Sequence, residues 1–153
     1  MSARLKEIVI FRPMRHEDVT AIMEVEHKVY SFPWTMGNFK DSLHAGYSCW
    51  VAEVGRDLVG YAVMMVAADE AHLLNISIAR PWQRRGLGRK FLAHLLKSAK
   101  EYHAQTMFLE VRPSNVAARK LYEAAGFNAI SVRHGYYPGE ASREDAILMA
   151  IVL

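Results

Sequence analysis

The sequence predicts an α/β (α+β) fold in which helices cover both faces of a mixed, mostly antiparallel central sheet. Three apolar runs at 47–54, 58–66 and 71–79 are separated only by short polar links, which is typical of neighbouring antiparallel strands. Two amphipathic segments follow the third run and alternate with a further strand. A chain of 153 residues can bury a sizeable core, and we expect residues 1–153 to form one domain.

The first part of the chain is predicted to contain one strand and two helices. Residues 8–11 are a short apolar run that fits a strand, and Asp18 is a residue type that caps a helix N-terminus. Apolar residues at helical spacing extend this helix to Tyr30, and Pro33 disfavours helix at the residue before it. A second short helix is expected at about 35–43.

The loop between these two helices is more apolar than most loops. It contains Phe32 and Trp34, whereas loops generally lie at the protein surface. Two interpretations are open: the aromatic side chains plug the core, or they form one wall of a substrate groove.

A glycine-rich turn at 83–89 lies between the third strand-like run and an amphipathic helix that ends near residue 103. A helix N-terminus carries free N–H groups and a partial positive charge, so it accepts an anion. Gly86 and Gly88 lack a Cβ, which allows a phosphate to approach the backbone and tolerates positive φ. Three cationic side chains surround the turn: Arg84, Arg85 and Arg89. We interpret it as a pyrophosphate cradle; the alternative is a turn that only links strand to helix.

The turn differs from two other glycine-rich phosphate loops. A P-loop requires Gly-Lys-Ser/Thr after four spacer residues, which the sequence lacks. The dinucleotide fingerprint requires three glycines, and only two are present. The remaining pattern is Q-x-x-G-x-G between a strand and a helix.

The C-terminal third is predicted to form a buried strand at 106–111, a helix at 116–125 and two final strands at about 127–133 and 145–152. Gly126 is a plausible stop for the helix. The link between the final strands contains Gly-Tyr-Tyr-Pro-Gly. The predicted order is therefore β-α-α-β-β-β-α-β-α-β-β.

Two residues in this region are candidates for acid–base chemistry. Glu110 is a carboxylate inside an apolar strand, so it either caps a helix or pairs with Arg112, or it is a partly desolvated general base. Tyr122 lies two helical turns after Asn115, which places both on one face. The phenol is either a core aromatic or an acid beside a leaving thiolate.

Composition excludes several classes of function. The single cysteine, Cys49, rules out an internal disulfide and reads as a small buried side chain. No His/Cys/Asp/Glu set has metal-ligand spacing, so we expect no metal. A net charge of +3 is too small to indicate nucleic-acid binding. The apolar run at 58–68 is too short for a bilayer and residues 1–7 carry no secretory signal, so we expect a cytoplasmic protein without membrane contact.

Several motifs together resemble a known family. The glycine turn resembles the acetyl-coenzyme A loop of the GNAT superfamily of N-acetyltransferases, whose element order also matches the predicted one. The segment at 109–127 closely matches the L-E-V-R-x-S-N-x-x-A-x-x-L-Y-x-x-x-G-F block of the bacterial ribosomal-protein-alanine N-acetyltransferases. Phe-Pro-Trp at 32–34, Asn-Ile-Ser-Ile at 75–78 and the segments at 136–138 and 144–149 also fit.

The resemblance implies a role for each matching residue. Glu110 would be the general base and Tyr122 the general acid in a direct transfer from acetyl-CoA. Strands splayed around 76–78 and 108–110 would leave backbone groups free for the cofactor. The implied cofactor-binding residues are Ile76, Ser77, Ile78, Arg84, Arg85, Gly86, Leu87, Gly88, Arg89 and Asn115. The substrate groove would be walled by Phe32, Trp34, Tyr136 and Tyr137.

The resemblance further implies that the acceptor is the N-terminal amine, with alanine first, of a small-subunit ribosomal protein. The alternatives are the same fold acetylating an internal lysine or a small molecule, and a non-catalytic acetyl-CoA sensor. Both Glu110 and Tyr122 are present, which argues against a sensor because binding alone requires neither. A basic helix or strand face typical of a nucleic-acid module is not evident.

Overall fold

A computed structural model describes residues 8–153 and builds them around one seven-stranded sheet. The strands are β1 (Val9–Pro13), β2 (Ser48–Val54), β3 (Asp57–Ala67), β4 (Glu70–Ile78), β5 (Thr106–Val111), β6 (Asn128–Tyr137) and β7 (Glu144–Val152). The helices are α1 (Val19–Val29), α2 (Met36–His44), α3 (Leu87–Glu101) and α4 (Val116–Ala125). Short 3₁₀ turns at His16–Asp18 and Arg80–Trp82 precede α1 and the glycine turn.

The predicted element order and mixed sheet are confirmed. The strands are arranged β1-β2-β3-β4-β5-β7-β6, and every neighbouring pair is antiparallel except β4 and β5. A parallel neighbour requires a long crossover, which here contains α3. The sheet is therefore mostly antiparallel, with its one parallel junction near the middle.

Helices pack on both faces of the sheet because side chains along a strand alternate. On β3, Ala62 and Met64 belong to the core cluster formed with α3, whereas Tyr61 and Val63 belong to the cluster formed with α1 and α2. All four are fully buried. Strand β3 is thus buried on both sides, which explains its nearly continuous apolar sequence.

The strands β4 and β5 diverge at the centre of the sheet. Their pairing runs from Glu70 opposite Thr106 to Leu73 opposite Leu109 and then stops. The register of β4 against β3 shifts at the next residue, Leu74, and such an irregularity bends a strand. The predicted splay is confirmed, with the opening formed by residues 74–78 and 110–111. Phe108 and Leu109, which the predicted splay included, are still paired with β4.

Two local predictions require correction. Asp18 is the N-cap residue of α1, as predicted, but its side chain makes no capping hydrogen bond: the carboxylate accepts instead from the side chain of Arg12 and the backbone N–H of Arg15, which closes the 3₁₀ turn. Strand β6 continues to Tyr137, beyond the predicted end near residue 133, after a register shift against β7. The tyrosines of the predicted link therefore belong to the hairpin itself.

Two helix ends carry recognisable sequence signals, and only the one at Gly126 was predicted. Thr35 and Asn38 form reciprocal hydrogen bonds at the start of α2, each side chain accepting from the other's backbone N–H. Gly126 ends α4 with φ +107°, as predicted. Among the helices of the described chain, none combines the length and apolar character needed to cross a bilayer. Residues 1–7, interpreted as lacking a secretory signal, lie outside the described residues.

Candidate active site

A cleft of about 330 Å³ opens where β4 and β5 diverge. The strands, the α1–α2 loop (residues 30–35), α4 and the β6–β7 hairpin all contribute side chains to it. The predicted site residues that line this cleft are Phe32, Trp34, Ile76, Glu110, Asn115, Tyr122 and Tyr137. The structure therefore gathers candidates from widely separated parts of the sequence around one opening.

Glu110 presents a carboxylate oxygen without a protein partner beside this cleft. Its side chain is 26% exposed, and Oε1 lies 3.8 Å from Nη1 of Arg133. Oε2 is buried and has no hydrogen-bond partner among residues 8–153. The alternative pairing with Arg112 is not observed, since Arg112 binds Glu144 instead. An unsatisfied buried oxygen costs free energy, and the partly exposed carboxylate that carries it can accept a proton from a bound amine, directly or through water.

Tyr122 and Asn115 face the cleft from α4. The Tyr122 ring is 7% exposed and packs edge-on against Phe127, with ring centroids 5.8 Å apart. Burial raises the pKa of the Tyr122 phenol above its usual value, so the group remains a proton donor. Asn115 also begins α4, because its Oδ1 accepts from the N–H of Ala118 at 3.2 Å. Tyr122 is therefore both a core aromatic and a cleft residue.

The glycine turn lies at the end of β4, outside the cleft lining. Gly86 is the N-cap of α3 with φ +77°, and a Cβ there would meet nothing within 4 Å. Gly88 lies within the first turn of α3, where a Cβ would lie 3.5 Å from Cδ2 of Leu121 on α4. The two glycines differ: Gly86 supplies the positive φ and an open approach, whereas a Cβ at Gly88 would make only an ordinary contact with α4.

The turn is anchored to β4 and to the core, and its residues 83–86 are exposed to solvent. Nε2 of Gln83 donates to the carbonyl of Ile78 at 2.9 Å, which joins the turn to the end of β4. The Leu87 side chain is 4% exposed in the core, and the Arg85 guanidinium lies 4.9 Å from the ring centroid of Trp82. The first N–H groups of α3 have no intrahelical acceptor. Cationic side chains on this exposed surface are Arg84, Arg85 and Arg89.

The aromatic walls differ in part from the prediction. Trp34 packs against Phe39 of the core, with centroids 5.1 Å apart, and also lines the cleft, so both interpretations of its loop hold. Tyr137 lines the cleft, but Tyr136 does not. The rings of Tyr136 and Tyr137 are nevertheless in contact, with centroids 4.9 Å apart, and Tyr136 is 44% exposed beneath the guanidinium of Arg133. Tyr136 therefore lies outside the cleft lining, next to the wall residue Tyr137.

Sequence reasoning missed a buried carboxylate beneath the cleft. Glu26 is 1% exposed and accepts hydrogen bonds from the hydroxyl of Tyr61 at 2.5 Å and the N–H of Trp34 at 2.8 Å. Its spacing in the sequence could have indicated that Glu26 is buried, because Glu26 follows Ile22 by four residues on the buried face of α1. A charged residue on an apolar stripe indicates a specific partner.

A hydroxyl network connects α1 to the open edge of β4, and it was also missed. The Tyr30 hydroxyl lies 2.6 Å from Oγ of Ser77 and donates to the carbonyl of Ile76 at 3.3 Å. Ser77 in turn donates to Oδ1 of Asn75 at 2.7 Å. Burial raises the pKa of Tyr30 to about 12, so the hydroxyl stays protonated. The network fixes β4 at the position where it leaves β5.

Other candidate chemistries find no support in the described residues. Cys49 is buried, and burial raises the pKa of its thiol to about 11, which disfavours a nucleophilic thiolate at neutral pH. Within residues 8–153, no group of three or more His, Cys, Asp or Glu side chains is arranged to hold a metal ion.

Comparison with known proteins identifies relatives along nearly the whole chain. The chain is 38% identical over 134 residues to ribosomal protein bS18-alanine N-acetyltransferase of Escherichia coli K12, covering 88% of this chain and 90% of that protein. It is 31% identical over 153 residues to a putative enzyme of the same name from Bacillus subtilis strain 168, covering 97% and 99%.

A solved structure shows the same fold. The crystal structure of ribosomal-protein-S18-alanine N-acetyltransferase from Escherichia coli superposes with a TM-score of 0.89 at 35% identity, covering 95% of this chain and 94% of that one. The family profile described as the acetyltransferase (GNAT) family matches residues 19–127, which include α1 to α4 and the cleft between β4 and β5. The chain therefore belongs to the acetyltransferase (GNAT) family and is an N-acetyltransferase.

Proposed function

We propose that the chain transfers an acetyl group from acetyl-CoA to the N-terminal α-amine of a protein. The observation that carries this proposal is the Glu110 carboxylate, which has an oxygen without a protein partner at the cleft where β4 and β5 diverge. Tyr122 lines the same cleft with a phenol that burial keeps protonated. The site thus combines a proton acceptor and a proton donor.

The residues present fit acetyl-CoA. Residues 74–78 of β4, which include Ile76, Ser77 and Ile78, are not paired with β5, so this strand edge can bind an extended pantetheine chain. The N-terminus of α3, the open approach at Gly86 and the nearby arginines suit a pyrophosphate. Asn115, at the start of α4, would contact the cofactor from the other side of the opening.

The chain's own groups divide the chemistry between them. Acetyl-CoA supplies the acetyl group as a thioester. Glu110 accepts the proton of the amine as the amine nitrogen bonds to the carbonyl carbon, and donors at the β4 edge stabilise the developing oxyanion. Tyr122 donates its proton to the sulfur as the carbon–sulfur bond breaks. The acetyl group moves directly to the amine, so no protein nucleophile is required.

Amine basicity favours an α-amine over a lysine side chain. With a pKa near 7.8, roughly one α-amine in seven is uncharged at pH 7, compared with about one lysine in 2,500. The difference corresponds to ~3.5 kcal/mol of deprotonation. A single carboxylate base is better matched to the smaller requirement.

The proposed acceptor follows from the relatives and from the shape of the cleft. The enzymes of Escherichia coli and Bacillus subtilis are named for an alanine of ribosomal protein bS18. Aromatic walls from Phe32, Trp34 and Tyr137 suit the first residues of an extended peptide. We therefore propose a ribosomal small-subunit protein that begins with alanine as substrate, which places the reaction in the cytoplasm.

A thiol-release assay tests this proposal. The protein is given acetyl-CoA and a peptide that begins with alanine, or the same peptide with its α-amine blocked. Release of coenzyme A that requires the free α-amine is the expected result. Acetyl-CoA binding without release in either reaction would reject the proposed acceptor.

A further inference from the structure

Arg112 lies two residues after Glu110, at the first position beyond the end of β5. Its side chain is 25% exposed, and Nη1 donates to the carbonyl of Pro138 at 2.7 Å and to Oε1 of Glu144 at 3.2 Å. Pro138 follows β6 and Glu144 begins β7. Arg112 therefore fastens the β6–β7 hairpin to the end of the strand that carries Glu110.

The same guanidinium also contacts aromatic rings from both walls of the cleft. It lies 4.4 Å from the ring centroid of Tyr137, at the end of β6, and 5.3 Å from that of Phe32, in the α1–α2 loop. A guanidinium is planar and stacks on aromatic faces, whereas the ammonium of lysine is a compact point charge. Arg112 thus touches two segments that are more than 100 residues apart in sequence.

The carboxylate that receives Arg112 is fixed by a second donor. Oε2 of Glu144 accepts the backbone N–H of Ser114 at 2.9 Å. Hydrogen bonding from Ser114, with a further contribution from Arg112, lowers the pKa of Glu144 below its usual value. Glu144 is therefore ionised at neutral pH, and the bridge from the hairpin to Arg112 remains intact.

We propose that Arg112 is a positioning residue that sets the separation between Phe32 and Tyr137, the walls between which the proposed peptide acceptor passes. The inference rests on the proposed acetyltransferase function and adds a residue that acts on acceptor binding through these two walls. A single amino-acid amide engages the reacting end of the cleft beside Glu110. A peptide of several residues also passes between the walls, so its binding depends on their separation.

The test compares two acceptors that share the same reactive amine, an alanine-starting hexapeptide and alaninamide. Arg112→Met is expected to raise KM for the hexapeptide about tenfold more than KM for alaninamide, the order expected from the loss of two cation–π contacts. Arg112→Lys keeps the positive charge but lacks the planar guanidinium, so it should show most of the same increase in KM for the hexapeptide. Retained acetyl-CoA affinity and far-ultraviolet circular dichroism verify folding; if Arg112→Met fails this check, Arg112→Lys carries the comparison.

Arg143 provides a matched control within the same hairpin. Its side chain donates to the carbonyls of Gly135 at 2.6 Å and Tyr136 at 2.9 Å, and both lie in β6. When Phe32→Ala is combined with Arg143→Met, the two changes in log KM should add. When Phe32→Ala is combined with Arg112→Met, the combined change should be much smaller than the sum, because Phe32 and Arg112 share one contact. Additivity in both cases, or an equal KM increase for both acceptors, overturns the inference. Failure of the unsubstituted protein to acetylate either acceptor would instead reject the proposed function.

Discussion

The backbone N–H of Trp34 donates a 2.8 Å hydrogen bond to Oε2 of Glu26, a carboxylate that is only 1% exposed. This bond joins the α1–α2 loop, one wall of the cleft, to the buried face of α1. Tyr61 on β3 occupies the other oxygen of Glu26 at 2.5 Å. The position of the wall is therefore determined from inside the protein, as well as by the aromatic rings at its surface.

Replacing Glu26 by alanine should lower the free energy of unfolding by about 2–4 kcal/mol, because a buried polar group left without its partner costs about 1–3 kcal/mol. Urea unfolding followed by tryptophan fluorescence measures the loss. Glu24→Ala is the matched control, since Glu24 is exposed on the same helix and should change stability by less than about 0.5 kcal/mol. Equal losses for the two variants would show that the hydrogen bonds of Glu26 contribute nothing specific.

Substitution of Gly86 should weaken acetyl-CoA binding more than it harms folding. Gly86→Asn places a side chain in the open approach, yet asparagine tolerates the observed φ of +77° better than other residues. We expect the Kd for acetyl-CoA, measured by calorimetric titration, to rise at least fivefold with little change in Tm. Gly88→Ala is the comparison, because its Cβ would face Leu121 at an ordinary contact distance. Unchanged affinity in Gly86→Asn would mean that the pyrophosphate lies elsewhere.

Sequence patterns predicted the fold well because each element has a local sequence signature. Alternation marks the strands, helical spacing marks the helices, and Gly126 marks the end of α4. A carboxylate inside an apolar strand and the helical spacing from Asn115 marked Glu110 and Tyr122 as site candidates, and the resemblance of 109–127 to a known block implied their roles. Only the three-dimensional arrangement shows that they share one cleft, because the distance between two elements is not encoded in either of them.

The residues that sequence reasoning missed act through long-range contacts. Glu26 looks like one polar residue on an amphipathic helix until Tyr61 and the Trp34 backbone are placed against it. Tyr136 belongs to a segment expected to be a link, but it lies in β6 and outside the cleft lining that includes Tyr137. Both features depend on contacts between elements, which local sequence patterns do not specify.

Glu110→Gln should lower kcat/KM for an α-amine by ~10²–10⁴-fold at pH 7, the usual contribution of a general base. The loss should shrink toward pH 9, because the amine then deprotonates without help. Glu123→Gln, an exposed carboxamide substitution on α4, is the control. Nearly full activity of Glu110→Gln at pH 7 would assign the base to another group, with Glu70, His72 and His134 as candidates.

Tyr122→Phe should slow turnover by a similar factor at every pH between 6 and 10. Burial disfavours the phenolate, so the pKa of Tyr122 lies above the usual value of 10.0 and the proton is retained throughout this range. A pH–rate profile of both proteins, with chemistry isolated by single-turnover measurement, checks this expectation. The expectation would be contradicted if the rate of the unsubstituted protein declined as pH rose, with a midpoint below pH 10, and this decline were absent in Tyr122→Phe.

We propose that the protein uses the cleft beside Glu110 to acetylate an α-amine and not a lysine side chain. The most direct test offers acetyl-CoA and one peptide that begins with alanine and also carries an internal lysine. Fragmentation in a mass spectrometer then locates the added acetyl group. We expect modification of the α-amine, with blocked-amine peptide left unmodified. Equal or faster acetylation of the internal lysine would contradict the account and identify a lysine acetyltransferase.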